Sequence, residues 1–169
     1  MDRLELLRII NNTTDTLHIS DSIKRIPGLR EILIADANLF HFPSFICRSK
    51  YLEAIGLINC KIDSIPQKIL FLEHLKVLNL TGNNIKEVPS WTRYCKNLEV
   101  LVLKDNKIDN LSEWISDMPK LQLLDLTGNQ LSLPDLDIIR VLFRSRHATV
   151  YSDFEKLLKE RIGEQKLKN

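Results

Sequence analysis

The chain repeats itself at a fixed interval. Aligned on leucine, successive copies begin at Leu29, Leu52, Leu75, Leu98 and Leu121, each 23 residues after the last. The stretch LKVLNLTGNNIKEVP from Leu75 returns as LEVLVLKDNKIDNLS from Leu98 and as LQLLDLTGNQLSLPD from Leu121. Within a copy, apolar residues fall at positions 1, 4, 6, 11 and usually 14, as in Leu75, Leu78, Leu80, Ile85 and Val88. A period near two dozen residues is too long for a helix or strand pattern, so each copy is one supersecondary unit that buries its apolar face only by stacking on its neighbours.

The spacing inside the unit fixes its parts. Alternation at positions 4 and 6 is the period of a half-buried strand, so each copy opens with a short strand whose leucines face a common core. Stacked strands form a parallel sheet, and positions 3, 5, 7 and 8 line its other face. The returning segments, with short helical turns, need more width than the roughly 4.8 Å between strands, so the stack is expected to curve with the sheet inside. Position 9 carries Asn83, Asn106 and Asn129, preceded by Ala37 and Cys60. An asparagine both donates and accepts, so a column of them satisfies turn groups that stacking buries. Ala37 cannot, and its turn is expected to be looser.

This pattern resembles the leucine-rich repeat, LxxLxLxxN/CxL, in its 23-residue form, with Ile65, Pro66, Ile69 and Leu72 matching the second half LPxxIxxL. The resemblance covers about residues 29–134 and implies a right-handed α/β solenoid, or horseshoe, with a concave parallel sheet. It also implies that Cys60 substitutes for the ladder asparagine and is buried and inert.

One domain is expected from 169 residues with 44% hydrophobic and 27% charged content. Both ends need covering, because an open core and an unpaired strand edge invite aggregation. Residues 1–12 are expected to form an N-terminal helical cap, with Leu4, Leu7 and Ile10 on one face. Residues 13–28 read as a degenerate repeat containing LHISDSIKRIP, and residues 29–134 as five full repeats. Residues 135–163 form the expected C-terminal cap: a helix through Leu136, Ile139, Leu142 and Phe143, an irregular strand in ATVYS, and a second helix opened by a Ser152 and Glu155 capping box. Residues 164–169 should fray. Phe45, Trp91 and Trp114 share position 17 and are expected to fold back over the core.

Little in the chain points to catalysis. His18, His41, His74 and His147 are scattered, no serine stands in a nucleophile-elbow setting, and Gly82 and Gly128 sit in repeat turns rather than a phosphate loop. Cys47, Cys60 and Cys95 lack zinc spacing and form an odd set, which fits a reducing, cytoplasmic setting. No long apolar run suggests a membrane span, and MDRLELLRIINN is broken by Glu5 and Arg8, unlike a signal peptide. The net charge is +2, and the basic C-terminal end is interspersed with Asp153, Glu155, Glu160 and Glu164, so nucleic-acid binding is not expected. No cofactor or metal is expected.

What varies between copies carries function. An apolar strip of Leu33, Ile58, Val77, Val100, Val102 and Leu123 is expected on the concave face, rimmed by Glu31, Asp36, Asn59, Asn79, Lys104, Asp105 and Asp125. An apolar centre with a polar rim is the anatomy of an interface. The expectation is a non-catalytic protein-protein interaction module, monomeric alone, with a protein partner on this face. The family resemblance implies a scaffold or adaptor. Its alternative is a recognition or regulatory subunit of an enzyme complex, such as signalling or ubiquitin transfer, including a pathogen product acting in a host cell.

Overall fold

The computed structural model describes residues 5–11, 26, 28–144 and 148–153. Seven strands form one open sheet in chain order: β1 Leu6–Ile10, β2 Glu31–Ala35, β3 Ala54–Ile58, β4 Val77–Asn79, β5 Val100–Val102, β6 Leu123–Asp125 and β7 Thr149–Tyr151. Every neighbouring pair is parallel, as a chain that returns to the same edge after each strand requires. The register keeps the 23-residue phase, with Ile55, Leu78, Leu101 and Leu124 aligned across four strands and all 1% exposed or less.

The return segments run behind the sheet as 3-10 turns at Ile46–Arg48, Gln67–Phe71, Ser90–Tyr94 and Glu113–Asp117. Pro66 and Pro89 immediately precede two of them in extended geometry, where the missing N–H costs nothing. Each turn drives one residue of position 18 into the core: Ile46, Ile69, Thr92 and Ile115. Phe45 is buried, and Trp91 and Trp114 pack partly buried against the same core, so the position-17 aromatics cover it.

The N-terminus departs from the expected helical cap. Residues 6–10 form β1, the edge strand, with Leu7 paired to Ile32 and Ile9 to Ile34. β1 therefore takes the place beside β2. Both periods fit LELLRII, since Leu4, Leu7 and Ile10 lie on a helical face while Leu7 and Ile9 alternate. The open edge of β2 decides, because its backbone groups need partners: Arg30 and Glu31 donate to the Glu5 carbonyl at 2.9 Å each, and Asn11 donates to the Ala35 carbonyl at 3.0 Å. His18 and most of the degenerate repeat lie outside the described residues.

At the other end, α1 spans Leu133–Arg144 and buries Leu136 and Ile139. Its start is a capping box that the sequence reading overlooked: Ser132 N–H donates to Asp135 Oδ2 at 3.1 Å, and the two side chains are hydrogen-bonded. The expected final strand in ATVYS is β7. The second helix, with its Glu155 cap residue, lies outside the described residues.

Candidate functional site

The sheet register sets the outer face residue by residue. Position 3 forms the row Leu6, Glu31, Ala54, Val77, Val100, Leu123 and Thr149, and position 5 the row Arg8, Leu33, Gly56, Asn79, Val102, Asp125 and Tyr151. Ile10, Ala35 and Ile58 continue a third row at position 7. Val77, Val100 and Leu123 are thus adjacent, about 4.8 Å from strand to strand, with Val102 one pleat along. All of them, with Leu33 and Ile58, are half-buried, whereas Glu31 is exposed.

Gly56 makes a hollow in this face. The depression, about 280 Å³, is lined chiefly by Leu6, Arg8, Leu33, Ala54, Val77 and Asn79. Leu33 leans across it, for a Cβ at Gly56 would stand 2.7 Å from Leu33 Cδ1. Arg8 and Glu31 place opposite charges at its rim. A helical reading of residues 1–12 hides Leu6, Arg8 and Ile10 as face residues, and the alternation of Leu7 and Ile9 is the signal that reveals them.

Several rim residues have a second, local occupation. At position 8, Asp36, Asn59 and Asp105 have φ between 54° and 56°, and Gly82 and Gly128 have 70° and 74°. This column is left-handed throughout, which favours Gly, Asn and Asp. Asn59 Nδ2 also donates to Asp36 Oδ1 at 2.8 Å. Asn79 Oδ1 accepts from Thr81 N–H at 3.0 Å, and Asp125 Oδ1 from Thr127 N–H at 3.0 Å, so an amide oxygen and a carboxylate oxygen each close the turn after their strand. Lys104 is exposed and has no such bond among the described residues.

Below the turns runs the asparagine column. Asn83 Nδ2 donates to the Leu57 and Leu80 carbonyls at 2.7 and 2.8 Å, and Asn106 and Asn129 repeat the arrangement one unit on. Cys60 imitates the donor half: its thiol points to the Ile34 and Ile58 carbonyls at 3.5 and 3.2 Å. Burial pushes its thiol up to about 11, and does the same to Cys47 and Cys95. None is a poised nucleophile near neutral pH. Where the asparagine is missing, the turns close differently. Leu39 N–H donates to Ala37 O at 3.0 Å, His41 N–H to Leu39 O at 2.7 Å, and Phe40 and Lys61 adopt φ of 61° and 58°.

A charged row flanks the face at position 2. Glu53 lies between Arg30 and Lys76, accepting from Lys76 Nζ at 2.7 Å, and both cations hold its carboxyl below the usual range. No group of three metal-ligating side chains occurs among the described residues, and no helix of these is long and apolar enough to cross a membrane.

Comparison with known proteins agrees with this architecture. Residues 89–131 and 71–86 each match a family described as leucine rich repeat. A leucine-rich-repeat protein of Leptospira interrogans superposes with a TM-score of 0.67 at 23% identity, over 84% of this chain and 36% of its own. An internalin of Listeria monocytogenes gives 0.61 at 17% identity, over 80% and 44%. The ectodomain of a receptor kinase from Arabidopsis thaliana gives 0.59 at 26% identity, over 74% and 70%. This chain therefore spans 36% and 44% of the length of the first two. No curated protein matches the sequence. Domains of this fold generally mediate protein-protein interaction, and the repeats, their register and these matches give the chain a leucine-rich-repeat fold.

Proposed function

We propose that the chain is a non-catalytic binding module whose protein partner docks on the solvent-facing, concave side of the parallel sheet. The observation that carries this reading is the continuous apolar row of Val77, Val100 and Leu123, bordered by the Gly56 hollow and by Glu31, Lys104 and Asp125. Half-buried aliphatics at the centre and charges at the edge suit a surface that is desolvated by a partner. The left-handed column limits what Asp36, Asn59 and Asp105 add, since the turn already favours residues of their type. The three unpaired thiols fit a cytoplasmic setting, which we propose with it.

The test is Val100→Glu. A charge in the middle of the row, buried without a partner on binding, costs several kcal/mol. Affinity capture followed by mass spectrometry should show specific partners of the wild type lost from the variant, while its thermal melt shifts by less than about 1 kcal/mol equivalent. An unchanged set of captured proteins would exclude the face.

A further inference from the structure

A second surface lies on the flank of the stack, where each return segment feeds the next strand. The three most exposed large apolar side chains among the described residues are all there: Phe71 at 67%, Tyr51 at 62% and Tyr94 at 56%. They come from successive repeats and line two depressions, of about 520 and 320 Å³. Leu70 and Glu73 line both, so the two depressions lie side by side with a shared wall and together make an interrupted groove.

Side-chain contacts bound the groove at its edges. The Tyr51 and His74 rings stack with centroids 6.5 Å apart. The Arg93 guanidinium lies 4.9 Å over the Tyr94 ring and its Nη2 donates to the Tyr94 hydroxyl at 2.8 Å. Between them Asn97 Nδ2 donates to the Glu73 carbonyl at 2.7 Å, and Lys120 Nζ donates to Asn97 Oδ1 at 2.7 Å.

Its charge is one-sided. Arg48 and Lys50 line the first depression and Lys96 the second, against the single carboxylate of Glu73. Among the described residues none of these three cations is ion-paired, whereas Arg30 and Lys76 on the sheet side are both tied to Glu53. Unpaired cations beside exposed rings favour an anionic occupant with apolar surface.

We propose that this groove binds a short, extended acidic segment of a partner protein, with carboxylates at both ends and a neutral, apolar centre. The end carboxylates meet Arg48 and Lys50 on one side and Lys96 on the other. A bulky apolar side chain enters the hollow beside Tyr51 and Phe71. Glu73 lies between the two halves and repels an acid there. An extended chain advances about 3.3 Å per residue, so a segment of about six residues is about 20 Å long, more than the two strand spacings that separate the outer repeats. The groove is separate from the sheet face, and this proposal does not depend on the one made for that face.

The test is a fluorescence anisotropy titration with a fluorescein-labelled hexapeptide carrying two acidic residues at each end and a leucine and a glycine in the middle. The wild type is expected to bind it, and binding should weaken as salt rises from about 50 to about 300 mM. Lys96→Glu should weaken binding about tenfold or more, reversing a charge-assisted contact. Phe71→Ser, at an exposed position, should also weaken it, with an unchanged thermal melt for both variants. Val100→Glu should bind as the wild type does. Equal binding of a control peptide with lysine in place of the acids would overturn the proposal. So would loss of the peptide in Val100→Glu, or tighter binding of an octauridylate RNA, which would make the groove a nucleic-acid surface.

Discussion

Asn83 Oδ1 accepts the backbone N–H of Cys60 at 3.0 Å across the boundary between two repeats. The same oxygen takes the Ile62 N–H at 2.9 Å, while the amide nitrogen serves carbonyls of both units. One side chain thus satisfies buried groups of two neighbouring turns, and the stack is cross-linked by hydrogen bonds as well as by its apolar core.

Asn83→Ala should therefore destabilise the fold by about 2–3 kcal/mol, because several buried backbone groups lose their partner at once. Asn129→Ala should cost less, since Asn129 is only partly buried. Denaturant melts of the two variants check the order, and equal small losses would show that water replaces the side chain.

Thr92 is the exception in the position-18 column of isoleucines. It is fully buried and its hydroxyl has no hydrogen-bond partner. Thr92→Val keeps the shape and removes the orphaned group, so it should stabilise by about 1 kcal/mol, seen as a Tm higher by a few degrees. A lowered Tm would mean that the hydroxyl is satisfied.

Gly82 has φ +70°, and a Cβ there would stand 1.9 Å from Asn59 Oδ1. Gly82→Ala should cost about 1–2 kcal/mol through left-handed strain, with displacement of the exposed Asn59 side chain. Asp105→Gly, in the same column, should leave stability within about 0.5 kcal/mol. Chemical denaturation of the pair separates the demands of the turn from any role of Asp105 in binding.

The Glu53 row gives a pH dependence. Lys76, then Arg30, depress the Glu53 carboxyl below its ordinary 4.5, so its contribution is present above that pH and lost as pH falls through the folded value. Glu53 in turn raises Lys76 above 10.5, a contribution present below 10.5 and lost as pH rises through the higher folded value. The Tm difference between wild type and Glu53→Gln should be flat from about pH 5 to about pH 10 and close on both sides. It should also shrink with salt, as expected for an exposed pair. A difference that persists at pH 2 would assign it to packing.

The sequence by itself determined the repeat and its phase. Five in-phase copies leave one solution in which Leu78, Leu101 and Leu124 are buried together, because a strand slipped by one residue would turn them to water. The same alternation put Val77, Val100 and Leu123 on one row and the asparagines on another. Tertiary structure alone decided the rest. Residues 6–10 satisfy helical and strand periods alike, and the unpaired edge of β2 selects the strand. The left-handed column was invisible as a cause, since a list of Asp, Asn and Gly reads equally well as a polar rim until φ is known. Tyr51 and Phe71, 20 positions apart in the chain, line one depression, and Tyr94, 23 positions further on, lines its neighbour, only because successive return segments stack side by side. Local patterns fix which way a side chain faces; only packing fixes which distant side chains it meets.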